Sequence, residues 1–187
     1  MIEDKERWNI RHVKKPMKTT VSPILEKYIP HANVGVALDL ACGTGRNTHF
    51  LEKLGFKIDA VDFSDYALSK INNSANIEKI EVDLDTYDLK QNSYDLIVNT
   101  NYLNRRLMAQ MSGALKDGGV LIFETFIVAH EKEENGSMNQ DYLLKNGELL
   151  ETFKELEIIF YEERDDVNTF GEKIRVAALV AKKIVKK

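Results

Sequence analysis

Val36-Ala37-Leu38-Asp39-Leu40-Ala41-Cys42-Gly43-Thr44-Gly45-Arg46-Asn47 decides the fold. A short, mostly apolar run, Val36–Leu40, reads as a buried strand. It breaks into a glycine turn and restarts as a helix. The glycines let the backbone approach a ligand closely, and the new helix points its free N–H groups at it. Alone, the pattern also fits a strand-to-helix turn that holds nothing.

Working outward, strand and helix alternate. Arg46–Leu54 places Phe50, Leu51 and Leu54 on one helical face, and Gly55 supplies the stop. Lys57–Val61 is a second strand. Ser64 is an N-cap for a helix carrying Ala67, Leu68 and Ile71. Ile77–Val82 and Tyr94–Asn99 are the third and fourth strands. Leu103–Leu115 is an amphipathic helix, with Leu107, Met111 and Leu115 at fourfold spacing. Lys116-Asp117-Gly118-Gly119 turns the chain into a fifth strand, Val120–Phe126. The stretch 131–140 reads as a surface loop and Gly147–Lys154 as a short helix. Leu156–Glu162 and Ile174–Lys182 are joined around Asn168 and Gly171. That link is too short for a crossover helix, so the two strands pair antiparallel. The prediction is an α/β fold: a mostly parallel seven-stranded sheet with a C-terminal antiparallel hairpin strand and helices on both faces.

Such sheets bind ligands beyond the carboxyl ends of their strands. Asp39 and the glycine turn follow the first strand, Asp62 the second and Asp83 the third. A carboxylate at Asp62 suits the hydroxyls of a ribose, and Asp83 or the Leu84 backbone suits an adenine amine. A lone Asp after a strand is commonly a cap or turn former; three in register line one crevice. A dinucleotide fold wants a third glycine where this chain has Thr48. It also seldom needs an acid before the turn, because pyrophosphate is anionic, and here Asp39 precedes it. A cationic sulfonium ligand tolerates that acid.

These residues resemble motif I of the class I S-adenosylmethionine-dependent methyltransferases. More narrowly, they are similar to the tellurite-resistance methyltransferase-like group. There Cys-Gly-x-Gly-Arg-Asn is followed by a helix and by Gly-Phe, here Gly55 and Phe56. The similarity continues through Leu115–Gly119, Leu144–Leu149 and Tyr161–Glu163. It implies a Rossmann-like fold, S-adenosyl-L-methionine as cofactor and methyl transfer; the same residues also fit a non-catalytic regulatory domain that only binds that cofactor. It places Asp39, Ala41, Gly43, Gly45 and Arg46 around the methionine and sulfonium end, Asp62 and Phe63 at the ribose, and Asp83 and Leu84 near adenine. Asn99 falls where the pocket opens to the acceptor. Tellurite-acting members carry a His-Arg pair in the final hairpin. This chain reads Arg164-Asp165-Asp166-Val167-Asn168 there, so methyl transfer is implied and tellurite is not.

The remaining chemistry is sparse. His12, Glu124 and His130 are candidate bases near the pocket mouth, and solvated loop histidines or a core-edge acid fit as well. Trp8 and Arg11 either close over the cofactor, Arg11 pairing its carboxylate, or pack the arm onto the domain. Tyr102 and Arg105 either floor the acceptor site or begin a helix whose arginines face water. No metal site is expected from one cysteine, Cys42.

Composition bounds the rest. With 187 residues, 43% hydrophobic and 30% charged, the chain supports one globular domain. Residues 1–30 read as an N-terminal arm or helix capping the pocket and 31–187 as a single cofactor-binding domain. A net charge of −4 argues against a nucleic-acid partner. No stretch is apolar enough for a membrane span or leader. A cytoplasmic monomer or homodimer acting on a small molecule is expected.

Overall fold

The computed structural model describes residues 2–14, 19–128, 140–167 and 171–184. Helix α1 is Ile2–Lys14 and α2 is Pro23–Tyr28, followed by a 3-10 turn, Ile29–His31. Then come β1 (Val36–Leu40), α3 (Arg46–Lys53), β2 (Lys57–Asp62), α4 (Asp65–Ser69), β3 (Ile77–Glu81), β4 (Tyr94–Thr100), α5 (Arg105–Ala114) and β5 (Leu115–Phe126). A 3-10 turn, Gln140–Tyr142, leads to α6 (Glu148–Thr152), β6 (Glu157–Val167) and β7 (Lys173–Lys182).

The strands form one seven-stranded sheet in the order β3-β2-β1-β4-β5-β7-β6. β1 to β5 run parallel, and β7 is antiparallel to both β5 and β6. The strand order reverses beside β1, which sits between β2 and β4, so a crevice opens beyond the carboxyl ends of β1 and β4. Alternation of side chains splits the core into two layers. One face packs Ala37, Ile58, Val98, Ile122 and Val180 under Leu25 of α2, Leu51 of α3 and Leu68 of α4. The other packs Leu38, Ile97, Phe123 and Leu179 under Leu107 and Met111 of α5 and Leu149 of α6. Both sheet edges are charged. β3 exposes Glu78, Lys79 and Glu81, and β6 carries the unbroken run Glu162–Asp166.

Local chemistry explains the boundaries. Ser64 caps α4 as expected, its hydroxyl accepting the Ala67 N–H at 3.0 Å. Asn104 caps α5 through Leu107 N–H at 3.1 Å. Asp95 ties the base of the sheet together, accepting the Val36 N–H and the Lys116 ammonium, each at 2.7 Å. A Cβ on Gly35 would lie 2.1 Å from that carboxylate, so a larger residue there would displace Asp95 from these bonds.

Several expectations change. Lys116–Gly119 does not end one element and begin another. β5 runs through it, bulging between the pairs Tyr94↔Leu115 and Leu96↔Val120 while Gly118 and Gly119 bond Lys183. The β3–β4 connection carries no helix, so the units are not uniformly strand-helix. α2 has no sequence-based counterpart. The expected loop 131–140 lies outside the described residues except for Gln140, as does Asn168 of the hairpin turn. No helix among the described residues is long and apolar enough to cross a membrane.

Candidate active site

The glycine turn is built by three left-handed residues, Ala41 at φ 53°, Gly43 at 56° and Gly45 at 83°. A curled backbone of this kind turns N–H groups toward one side. Gly45 is also the N-cap of α3, which has no capping side chain. A Cβ on Gly45 would lie 2.7 Å from Ile71, just after α4, so the turn lies close against that segment.

Two carboxylates organise the turn from below. Asp62, at the end of β2, accepts the Gly43 N–H through Oδ2 at 2.7 Å and the Ser64 N–H through Oδ1 at 2.8 Å. Each oxygen keeps a second lone pair for a ligand hydroxyl. Asp39 is 2% exposed and accepts the Thr48 hydroxyl at 2.6 Å. Burial pushes its carboxyl up to about 6, against the pull of Thr48 and the Arg46 guanidinium. Thr48, at the position of a dinucleotide fold's third glycine, is thus the partner of Asp39.

On one side of this centre lie Asp83, Leu84 and Tyr102. Asp83 accepts the Asp85 N–H at 3.0 Å and closes the turn after β3. Leu84 is buried, and Phe63 is half-buried beside Asp62. Tyr102 is half-buried, and burial pushes its hydroxyl up to about 12, with Asp85, Asp83 and Asp62 adding to the effect. This sets Tyr102 among the carboxylates of the expected adenine and ribose side.

On the other side lies a charged row the sequence did not reveal. Glu124 of β5 and Glu162 of β6 both register with Ala178 of β7. The small Ala178 lets Arg164 reach across β7 to Glu124 at 2.7 Å. Arg46 of α3 lies within electrostatic range of the same Glu124 and of Asp39. Its guanidinium and the Asn47 amide both meet the Thr100 hydroxyl, at 3.4 and 3.2 Å. Asp39, Asp62, Thr100, Glu124 and Arg164 therefore occupy carboxyl-terminal positions around one crevice.

Four expected site residues, Arg105, Asn99, Arg11 and Trp8, have partners within the fold. Arg105 is a strap: it pairs with both oxygens of Glu148, at 2.6 and 3.0 Å, and donates to the Asp141 and Leu143 carbonyls at 3.1 and 2.9 Å. Arg105→Ala should therefore cost about 1–2 kcal/mol of stability, read by urea denaturation, with ligand affinity unchanged. A stable variant that binds ligand poorly would reverse that assignment. Asn99 is 1% exposed, and its amide donates to the Tyr102 carbonyl at 2.8 Å, holding the loop after β4. Arg11 is exposed and stacks 5.0 Å above the Trp8 ring, itself 40% exposed, so the two engage each other. His12 of the same helix is half-buried, within electrostatic range of Asp62. His130 lies outside the described residues.

Residues 5–177 match the family model for the tellurite resistance protein TehB. The chain belongs to the TehB family. Among curated relatives, the TehB of Haemophilus influenzae, described as a probable S-adenosyl-L-methionine-dependent methyltransferase, is 26% identical over 78% of this chain and 56% of its own. A malonyl-[acyl-carrier protein] O-methyltransferase of Bacillus cereus is 30% identical over 60% of this chain and 45% of its own. The chain thus spans about half the length of the curated relatives it matches. The crystal structure of Haemophilus influenzae TehB superposes with a TM-score of 0.73 at 20% identity, covering 92% of this chain and 65% of that one. The TehB relationship accounts for the seven-stranded order and its closing antiparallel strand, the Rossmann-like architecture of the class I methyltransferases.

Proposed function

We propose that this TehB-family chain transfers the methyl group of S-adenosylmethionine to a small acceptor. The observation that carries the reading is the buried Asp39 carboxylate behind the glycine turn, beside Asp62. An acid behind the turn disfavours a pyrophosphate, and with Asp62 beside it suits a ligand that is cationic at one end and carries a ribose in its middle. The donor set therefore fits the cofactor. Asp62 would take the ribose hydroxyls, Leu84 and Tyr102 would flank the adenine, and Asp39 and the Gly43–Gly45 turn would face the methionine end. When bound, the cofactor supplies a methyl carbon activated by positive sulfur.

The chain's own part is alignment and exclusion of water, and orientation alone lowers such a barrier by about 7–11 kcal/mol. The acceptor enters over Thr100, Glu124 and Arg164. This row suits a small polar molecule, whether a thiol, a chalcogen oxyanion or another metabolite, better than a polymer. The buried, unpaired Cys42 agrees with a cytoplasmic setting.

Calorimetric titration with S-adenosylmethionine, S-adenosylhomocysteine and NAD tests the pocket, and product formation in an acceptor screen tests transfer. Binding of NAD alone overturns the reading. With an acceptor in hand, Arg164→Ala should raise its KM about tenfold while S-adenosylhomocysteine affinity stays constant. An unchanged KM removes Arg164 from the acceptor site.

A further inference from the structure

The stripe of α1 that is shielded by the domain is polar. Lys5, Asn9 and His12, spaced i, i+4 and i+7, are its half-buried residues, while Trp8, Ile10 and Val13 are 40%, 52% and 57% exposed. Lys5 pairs with Glu81 at the end of β3 and with Asp65 of α4 at 3.2 Å. The Asn9 amide donates to Asp65 at 2.7 Å, and its carbonyl accepts the Ser64 hydroxyl at 2.5 Å. This assignment is forced, because an ionised carboxylate only accepts. Ser64 in turn donates its N–H to Asp62, and Asp62 holds the Gly43 N–H. An unbroken hydrogen-bonded path thus runs from α1 to the ribose carboxylate and the glycine turn.

We infer that α1 is a polar latch over the ribose end of the site, with Asn9 a positioning residue that acts on Asp62 through Ser64. The inference rests on the cofactor reading proposed above. Two features make it a latch rather than a fixed wall. The described side chains of α1 bury no large apolar group against the domain, and exposed ion pairs hold little on their own. Such a segment opens at low cost. Linkage is reciprocal: whatever α1 adds to cofactor binding, bound cofactor returns to α1. Opening admits and releases the ligand, and closing orders Asp62.

The experiment uses the whole chain and S-adenosylhomocysteine. Asn9→Ala and Lys5→Glu should each weaken binding about tenfold, mainly through faster dissociation, with the thermal midpoint nearly unchanged. Adding Glu81→Lys to Lys5→Glu restores the opposite-charge pair and should recover most of the loss, which general surface damage would not do. Hydrogen exchange on the unmodified protein gives a readout that needs no variant: α1 amides gain protection when ligand is added. Unmodified protein that fails to bind S-adenosylhomocysteine overturns the cofactor reading and the latch with it. Binding that is normal, but insensitive to both substitutions and without added α1 protection, overturns the latch alone.

Discussion

Replacing Asp62 by alanine is expected to lower S-adenosylmethionine affinity at least about 100-fold and to destabilise the chain by about 3 kcal/mol. Both effects have one origin. The 8% exposed carboxylate accepts the N–H groups of Gly43 and Ser64, so its removal leaves two backbone donors without their partner. Lost charge-assisted bonds of this kind cost about 1.5–3 kcal/mol each before relaxation. The ligand then loses the group that takes its ribose and meets a turn no longer drawn toward β2. Asp62→Asn separates the contributions. One acceptor oxygen survives, so stability should recover by about half while affinity stays low. Calorimetry and urea denaturation on the two variants read the effects side by side. Full affinity in Asp62→Ala would remove the ribose assignment.

Asp39→Asn should lower affinity as well but shift stability the other way: a more stable protein at neutral pH that binds the cationic cofactor about 100-fold less tightly. The carboxyl ordinarily titrates at 3.8 and is raised to about 6 in the fold. Below pH 3.8 it is neutral in both the folded and the unfolded chain. As pH rises, the unfolded chain releases its proton first, so the folded state holds the extra proton and loses stability. The loss is complete above about pH 6 and amounts to about 3 kcal/mol, at roughly 1.4 kcal/mol for each unit. The amide escapes that loss but accepts less well from Thr48, so the net gain at pH 7 should be about 1–2 kcal/mol. At pH 4 the unmodified chain should be the more stable of the two. Denaturation at both values checks the crossing, and curves that do not cross would show that the charge is not costly.

What the sequence made legible was what lies close together along the chain. The turn after β1, the Ser64 cap and the acid at each strand end are local signals, and the structure places them on one crevice. The Arg164–Glu124 pair was not legible, because it depends on the register of β5 and β6 against β7 and on the small Ala178 between them. The partners of Arg105 were not legible, because a long side chain near a strand end reaches in several directions and they begin 36 residues away at Asp141. The polar stripe of α1 was not legible either. An amphipathic pattern is read on the assumption that apolar residues face inward, and here Trp8 and Val13 face outward while Lys5 and Asn9 hold the contacts. α2, six residues long, is too short for periodicity to show.

The charged margins of the sheet bear on how copies of this chain meet. An outermost strand offers unpaired backbone groups that invite another strand to join. Along β6, the charged run Glu162–Asp166 sets mostly acidic side chains on one margin, and β3 carries Glu78, Lys79 and Glu81 on the other; in many registers a symmetric partner strand would bring like charges face to face. Growth of one continuous sheet from molecule to molecule is therefore opposed at both ends. Charge at the margins thus works against strand-mediated association of one copy with another.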